Sequence, residues 1–308
     1  MGKGDNRMYD YVIKSEKLSK AYGNNIAINN LSVDINRGGI IGLIGRNGSG
    51  KTTFMKMCAG LLNKTEGELY VMGSDPQDNI AVAERLVYAH HNIDYDRNLR
   101  LADIVYSFKI MYSNFDEGFA LKLLRYFELN PKSKYNSLSQ GMMSVFNFIC
   151  ALASRAELTM LDEPVLGMDV AVRKSVYEVL LRDYTEHPRT IIISSHLLSE
   201  IEGVLSEILL INKGKLLLYE DIDEIREIAY RADGSKENLD KYGYNKEVIF
   251  YKSGSFDSFN IILGSLTEEM VNDAKKQNIS LSKVRPEEIC MYLTQDNKEA
   301  ELKCLWEN

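Results

Sequence analysis

Ile40-Ile41-Gly42-Leu43-Ile44-Gly45-Arg46-Asn47-Gly48-Ser49-Gly50-Lys51-Thr52 is the stretch that decides the fold. A short apolar run leads into G-x-x-x-x-G-K-[ST], the strand, glycine loop and helix start of a phosphate-binding loop. Glycines let backbone N–H groups turn inward around phosphate oxygens without Cβ clashes. Asn47, Gly48 and Gly50 belong to that cradle. Lys51 adds a point charge for the β- and γ-phosphates and Thr52 a hydroxyl for Mg²⁺. Thr53 follows in the first turn of a helix whose positive end faces the anion. The pattern implies a bound nucleoside triphosphate.

Bulk properties narrow the setting. The chain has 308 residues and a net charge of −7, with no dense Lys/Arg block. That length suits one large domain plus an appendage, and the acidic balance disfavours nucleic acid as a partner. Cys58, Cys150, Cys290 and Cys304 are widely spaced with no C-x-x-C, which reads as reduced, mostly buried thiols of a cytosolic protein rather than a zinc site. No signal peptide is visible, and residues 1–8 read as a disordered N-terminus. Nothing approaches the run of about 18 apolar residues a membrane span needs, so spanning helices would have to come from another subunit.

Outward from the glycine loop, the expected class is α/β. Residues 11–20 and 26–36 alternate as half-buried strands, and residues 52–62 read as the helix after the loop. From about residue 101 to 154 the period becomes helical. Leu101, Ile104, Val105, Phe108 and Tyr112 share one face, Phe119, Leu123 and Phe127 a second, and Val145, Phe146, Ile149, Cys150 and Ala153 a third. A helical block, about residues 92–157, thus interrupts the α/β pattern. Strands are expected again near 158–161, 190–194 and 207–212, with Lys213-Gly214-Lys215 as a hairpin turn. Residues 231–238, polar and glycine-containing, read as a linker into a small α+β appendage. The expected organisation is a nucleotide-binding domain over 9–228 and an accessory domain over 229–308.

Two further stretches carry chemistry. Leu158-Thr159-Met160-Leu161-Asp162-Glu163 is an apolar strand ending in two acids. Parallel strands place their carboxyl ends beside the ligand. Asp162 would hold Mg²⁺, mainly through its waters, and Glu163 would orient and deprotonate the attacking water. Leu138-Ser139-Gln140-Gly141-Met142 opens the third helix of the block, a capping serine whose following N–H groups can point at an anion.

In this order, the glycine loop, Leu-Ser-x-Gly, the strand with Asp-Glu-Pro, and Ile191-Ile192-Ile193-Ser194-Ser195-His196 resemble the ATP-binding subunit of an ATP-binding-cassette (ABC) transporter. The resemblance covers roughly residues 11–228. It implies a P-loop NTPase core with a β subdomain, an inserted helical subdomain, and ATP with Mg²⁺ as ligands. It also implies that Tyr22 stacks on adenine, that Ser139, Gln140 and Gly141 meet the γ-phosphate held by the opposite subunit, and that Gly167 and Asp169 lie in a loop crossing the dimer interface. His196 would be the switch histidine, catalytic together with Glu163.

The implied partners are a second ABC ATPase subunit, as a homodimer or homologous heterodimer, and a membrane-spanning permease. The implied place is the cytoplasmic face of the cell membrane, peripheral through that permease. Loop residues around Asp162–Asp169 and His187-Pro188-Arg189-Thr190 look like a bacterial ABC-2-like exporter branch. That branch includes antimicrobial-peptide resistance and phenol-soluble-modulin exporter ATPases. The rival reading is a soluble ABC ATPase of DNA maintenance or translation, which would usually carry coiled-coil insertions, zinc motifs or a second cassette. One departure stands out: Ala89-His90-His91 places His91 where the family usually has a glutamine that reaches Mg²⁺. A neutral imidazole can accept from a metal-bound water and a protonated one cannot.

Overall fold

The computed structural model describes residues 11–90, 93, 95, 96, 98–252 and 258–295. The expectations for residues 1–8, His91 and Cys304 fall outside the described residues. In chain order the first elements are β1 (Tyr11–Tyr22), β2 (Asn25–Asn36), β3 (Ile40–Ile44), α1 (Lys51–Cys58), β4 (Glu66–Val71), α2 (Ile80–Ala83) and β5 (Leu86–His90). Three helices follow, α3 (Leu101–Met111), α4 (Glu117–Tyr126) and α5 (Gln140–Ala153). Then come β6 (Leu158–Asp162), α6 (Val170–Glu186), β7 (Thr190–Ser195), β8 (Glu207–Asn212) and β9 (Lys215–Asp221). The last third holds α7 (Ile222–Ile225), β10 (Ala229–Asp233), α8 (Lys236–Gly243), β11 (Val248–Lys252), β12 (Phe259–Leu263), α9 (Glu268–Lys276), β13 (Ser280–Lys283) and α10 (Pro286–Thr294).

The described residues form two compact units. The first runs to His196 and from Glu200 to Tyr219; the second comprises Leu197–Ser199 and the chain from Glu220 onward. In the first unit a six-stranded sheet has the order β5-β6-β7-β3-β8-β9, and a three-stranded sheet the order β2-β1-β4. The pairs β5–β6, β6–β7, β7–β3 and β3–β8 are parallel. β3, β6 and β7 are buried throughout, as expected of parallel strands covered on both faces. The register sets His90, Asp162, Ser194 and Leu43 side by side across four strands. All the carboxyl ends therefore open on one edge. Phe54 and Met55 of α1 pack between the two sheets' residues, in one core with Ile13, Leu31, Met160 and Ile192.

Helix α5 is the most deeply buried element of the helical block, with every residue from Ser144 to Ala153 inside. Its sequence is apolar on all sides, so it sits as a core helix rather than a surface one. The face Leu101, Ile104, Val105 and Tyr112 is buried as the helical period requires.

The second unit has the β-α-β-β-α-β order of a split βαβ, with sheet order β11-β12-β10-β13 and every pairing antiparallel. Residues 231–238 are not a linker. Arg231 and Asp233 end β10, and Ser235 caps α8 by accepting from the Asn238 N–H. The strand looks polar because only one of its faces, Tyr230 and Ala232, enters the core with Leu239, Tyr242 and Ile262. The second unit also takes in residues 220–228, placed with the first by the sequence reading. The reason is α7, which buries Ile222 and Ile225 and packs on α10. No helix among the described residues is long and apolar enough to cross a membrane.

Candidate functional site

The glycine loop leaves β3 and turns into α1. Gly45 is buried, and a Cβ there would lie 2.3 Å from the Ile211 carbonyl oxygen and 2.5 Å from Ser49 Oγ. Only glycine lets the backbone pass β8 this closely. Gly50, at φ 111°, occupies the N-cap of α1 with no side-chain cap, so the first-turn N–H groups are left for an anion. Ser49 Oγ is buried with no hydrogen-bond partner. An orphaned hydroxyl beside an uncapped helix start fits a triphosphate.

Lys51 is buried at the start of α1. Its Nζ donates to the Gly45 carbonyl at 2.7 Å and stands 3.8 Å from Glu163 Oε1. Burial pulls its ammonium below the ordinary lysine value, opposed by the charges of Glu163 and then Asp162. Thr52 is exposed in the first turn and Thr53 half-buried beside it.

Asp162 and Glu163 end β6, as expected, and the neighbouring strands set their geometry. Ser194 Oγ, from β7, donates to Asp162 Oδ1 at 2.5 Å and accepts the Glu163 backbone N–H at 2.9 Å. Tyr88 Oη, from β5, donates to Asp162 Oδ2 at 2.9 Å. Burial first, then the Asp162 charge and hydrogen bond, push the Tyr88 phenol well above its ordinary value, so it stays a donor. Glu163 adopts φ 49°, a left-handed conformation that costs a non-glycine residue free energy. It turns the side chain out of the strand toward Lys51 and His196. His196 Nδ1 lies 3.0 and 3.2 Å from the two Glu163 oxygens. A carboxylate only accepts, so Nδ1 carries the proton in this pairing.

A second group of expected residues also comes together. Ser139 Oγ caps α5 by accepting from the Met142 N–H at 3.3 Å, and Asp169 caps α6 by accepting from the Val172 N–H at 3.0 Å. A Cβ on Gly141 would stand 2.5 Å from the Gly167 carbonyl oxygen. Ser144 Oγ donates to the Leu166 carbonyl at 2.9 Å. The start of α5 and the loop before α6 are thus locked to each other, with Ser139, Gln140, Gly167 and Asp169 left exposed. Tyr22, half-exposed at the end of β1, has Lys20 Nζ 5.2 Å from its ring centroid.

Three residues of the site escaped the sequence reading. Tyr88 looks like ordinary strand packing, and Ser194 like one hydroxyl in a β-branched run. Asn147 is buried in apolar α5 and donates to the His90 carbonyl at 3.0 Å and to Tyr135 Oη at 3.1 Å. A lone amide amid Phe146 and Phe148 was a visible signal.

Thr52 and Asp162 offer hard oxygen donors that fit Mg²⁺ held largely by water and phosphate. A family profile described as ABC transporter matches residues 28–166. The chain is 31% identical over 219 residues to the ABC transporter ATP-binding protein YtrB of Bacillus subtilis (strain 168), covering 70% of this chain and 74% of that one. It is 30% identical over 219 residues to the bacitracin transport ATP-binding protein BcrA of Enterococcus faecalis, covering 70% and 71%. Over 249 residues it is 28% identical to the lantibiotic transport ATP-binding protein SrtF of Streptococcus pyogenes, covering 78% and 99%. A solved structure described as the ATP binding subunit of an ABC transporter superposes with a TM-score of 0.64 at 24% identity, over 70% of this chain and 92% of that one, which speaks to fold alone. With this site and these identities, the chain belongs to the ATP-binding subunits of ABC transporters.

Proposed function

We propose that the chain dimerises head-to-tail around two ATP molecules and, from the cytoplasmic face of a membrane, drives a separate permease. The observation that carries the catalytic part is the convergence of Lys51, Asp162, Glu163 and His196, from three strand ends, within one group of hydrogen bonds and an ion pair.

Thr52 Oγ1 and Asp162 would hold Mg²⁺, which when bound would offset the charge of the phosphates. Lys51 Nζ, now on the Gly45 carbonyl, turns to the β- and γ-phosphates; its buried ammonium regains there the ionic partner that desolvation makes it need. Glu163 orients the attacking water and takes its proton. His196 holds Glu163 through Nδ1, which lies near both carboxylate oxygens, and so fixes the orientation of the carboxylate. Tyr22 would stack on the adenine. Ser139 and Gln140, exposed at the α5 N-terminus, and the half-buried Gly141 would complete the site of the partner subunit, with Gly167 and Asp169 beside them. His91 would take the place of the family's glutamine. The names of the bacitracin and lantibiotic transport relatives support export of peptides or hydrophobic compounds.

Glu163→Gln tests this reading. It should retain ATP binding, lose about 10² to 10⁴ in turnover, and accumulate as a dimer when ATP is present in gel filtration. A variant that remains monomeric under saturating ATP and Mg²⁺ would sink the dimer. Co-purification from membranes with a permease checks the partner, and recovery with ribosomes or DNA instead would reject it.

A further inference from the structure

Asp162 is buried, yet among the described residues no cation bonds to it directly: Lys51 acts on it only through its field. Its two oxygens are each taken once by a neutral hydroxyl. Ser194 Oγ holds Oδ1 at 2.5 Å from β7, and Tyr88 Oη holds Oδ2 at 2.9 Å from β5. A carboxylate has about four lone-pair sites, so each oxygen keeps one acceptor site open. The strands flank β6 on both sides, and the hydroxyls therefore pin the carboxylate plane from opposite edges. Rotation about the Asp162 side chain would break both bonds at once.

We infer that Tyr88 and Ser194 are positioning residues that clamp Asp162 in the orientation needed to receive Mg²⁺-bound water. This deepens the proposed function and rests on its reading of Asp162 as the acid facing the metal. The two members differ in reach. The Tyr88 hydroxyl bonds to Asp162. Ser194 also accepts the Glu163 N–H, and so helps hold the left-handed turn at Glu163 on which the general base depends. Tyr88 adds a second consequence. It sits on β5, the edge strand of the sheet, two residues before His90, whose carbonyl is held by Asn147 of α5. A displacement of the β5 end would thereby reach the metal-facing acid through the Tyr88 phenol as well as through the strand pairing of His90 with Asp162.

If the hydroxyls merely satisfy a buried carboxylate, their removal lowers stability and nothing else. If they orient it, their removal weakens the metal's contribution to nucleotide binding. Loss of such an outer partner typically costs about 10- to 100-fold in metal affinity.

The test titrates MgCl₂ into the full chain with a fluorescent ATP analogue, and repeats the nucleotide titration in EDTA. Tyr88→Phe should raise the Mg²⁺ half-saturation about tenfold while leaving affinity in EDTA unchanged. Ser194→Ala should do the same and also lower kcat at saturating Mg²⁺. An unchanged half-saturation in Tyr88→Phe, or an equal loss with and without metal, overturns the clamp. Should Ser194→Ala fail to fold, Tyr88→Phe decides alone. Asp162→Asn separates the two levels. A large Mg²⁺ shift there with none in Tyr88→Phe rejects only the clamp. No shift in Asp162→Asn rejects the metal-facing role of Asp162 and the clamp with it.

Discussion

The parallel sheet of the first unit and the antiparallel sheet of the second use polar groups in opposite ways. In the parallel sheet, β3, β6 and β7 all end on the same edge, so Lys51, Asp162, Ser194 and His196 meet although they are far apart in sequence. In the antiparallel sheet, neighbouring ends alternate, and polar groups pair close by. Arg231 binds Asp233 on its own strand and lies 3.8 Å over the Phe259 ring. Asn260 donates to the Leu239 carbonyl at 3.4 Å. Parallel topology gathers chemistry at one edge because every strand points there; antiparallel topology disperses it.

The largest expected stability effect probes whether buried charge in the first unit is also used structurally. Asp183 of α6 pairs with Arg155 and, at 2.9 Å, with Arg189, and all three are nearly enclosed. Asp183→Asn leaves the guanidinium groups without their carboxylate and should cost about 3–5 kcal/mol. Denaturant unfolding checks it; a loss below about 1 kcal/mol would mean that water already solvates the arginines.

Next, Ile262→Ala in the second unit removes a fully buried side chain from the core around Tyr230 and Leu239. It should destabilise by about 2–5 kcal/mol with ATP affinity unaltered. A weakened ATP affinity would break the contrast between a chemical sheet and a packing sheet.

The last contrast is alkaline. Burial raises Tyr112 to about 12 and pushes Tyr88, Tyr95, Tyr177 and Tyr219 upward as well, again with burial as the first cause. A phenol raised on folding contributes stability that is fully present below its unfolded value of about 10. That contribution is lost as pH climbs toward the folded value, because the unfolded chain releases the proton first. The second unit has Tyr230 in this class. The thermal midpoint of the first unit should therefore fall more steeply between about pH 10 and 12. Equal slopes in the two units would erase the distinction.

Much of this was legible in the chain alone, and the division follows a physical line. The glycine loop, the Asp162-Glu163 pair and the Ser139 cap act through residues adjacent in sequence, so their chemistry shows in the order of letters. Helical faces such as Leu101, Ile104 and Val105 follow from a local period. The strand at Ala229–Asp233 was hidden because Arg231 and Asp233 interrupt its buried positions, and a partly polar strand resembles a linker until its partners are known. Tertiary structure alone decided that Tyr88 and Ser194 grip Asp162 from either side, since strand register brings together residues separated by dozens of positions. Sequence determined which groups could bind a phosphate and activate water. Register determined how those groups are held, because hydrogen-bond geometry across a sheet depends on pairings that no local pattern encodes.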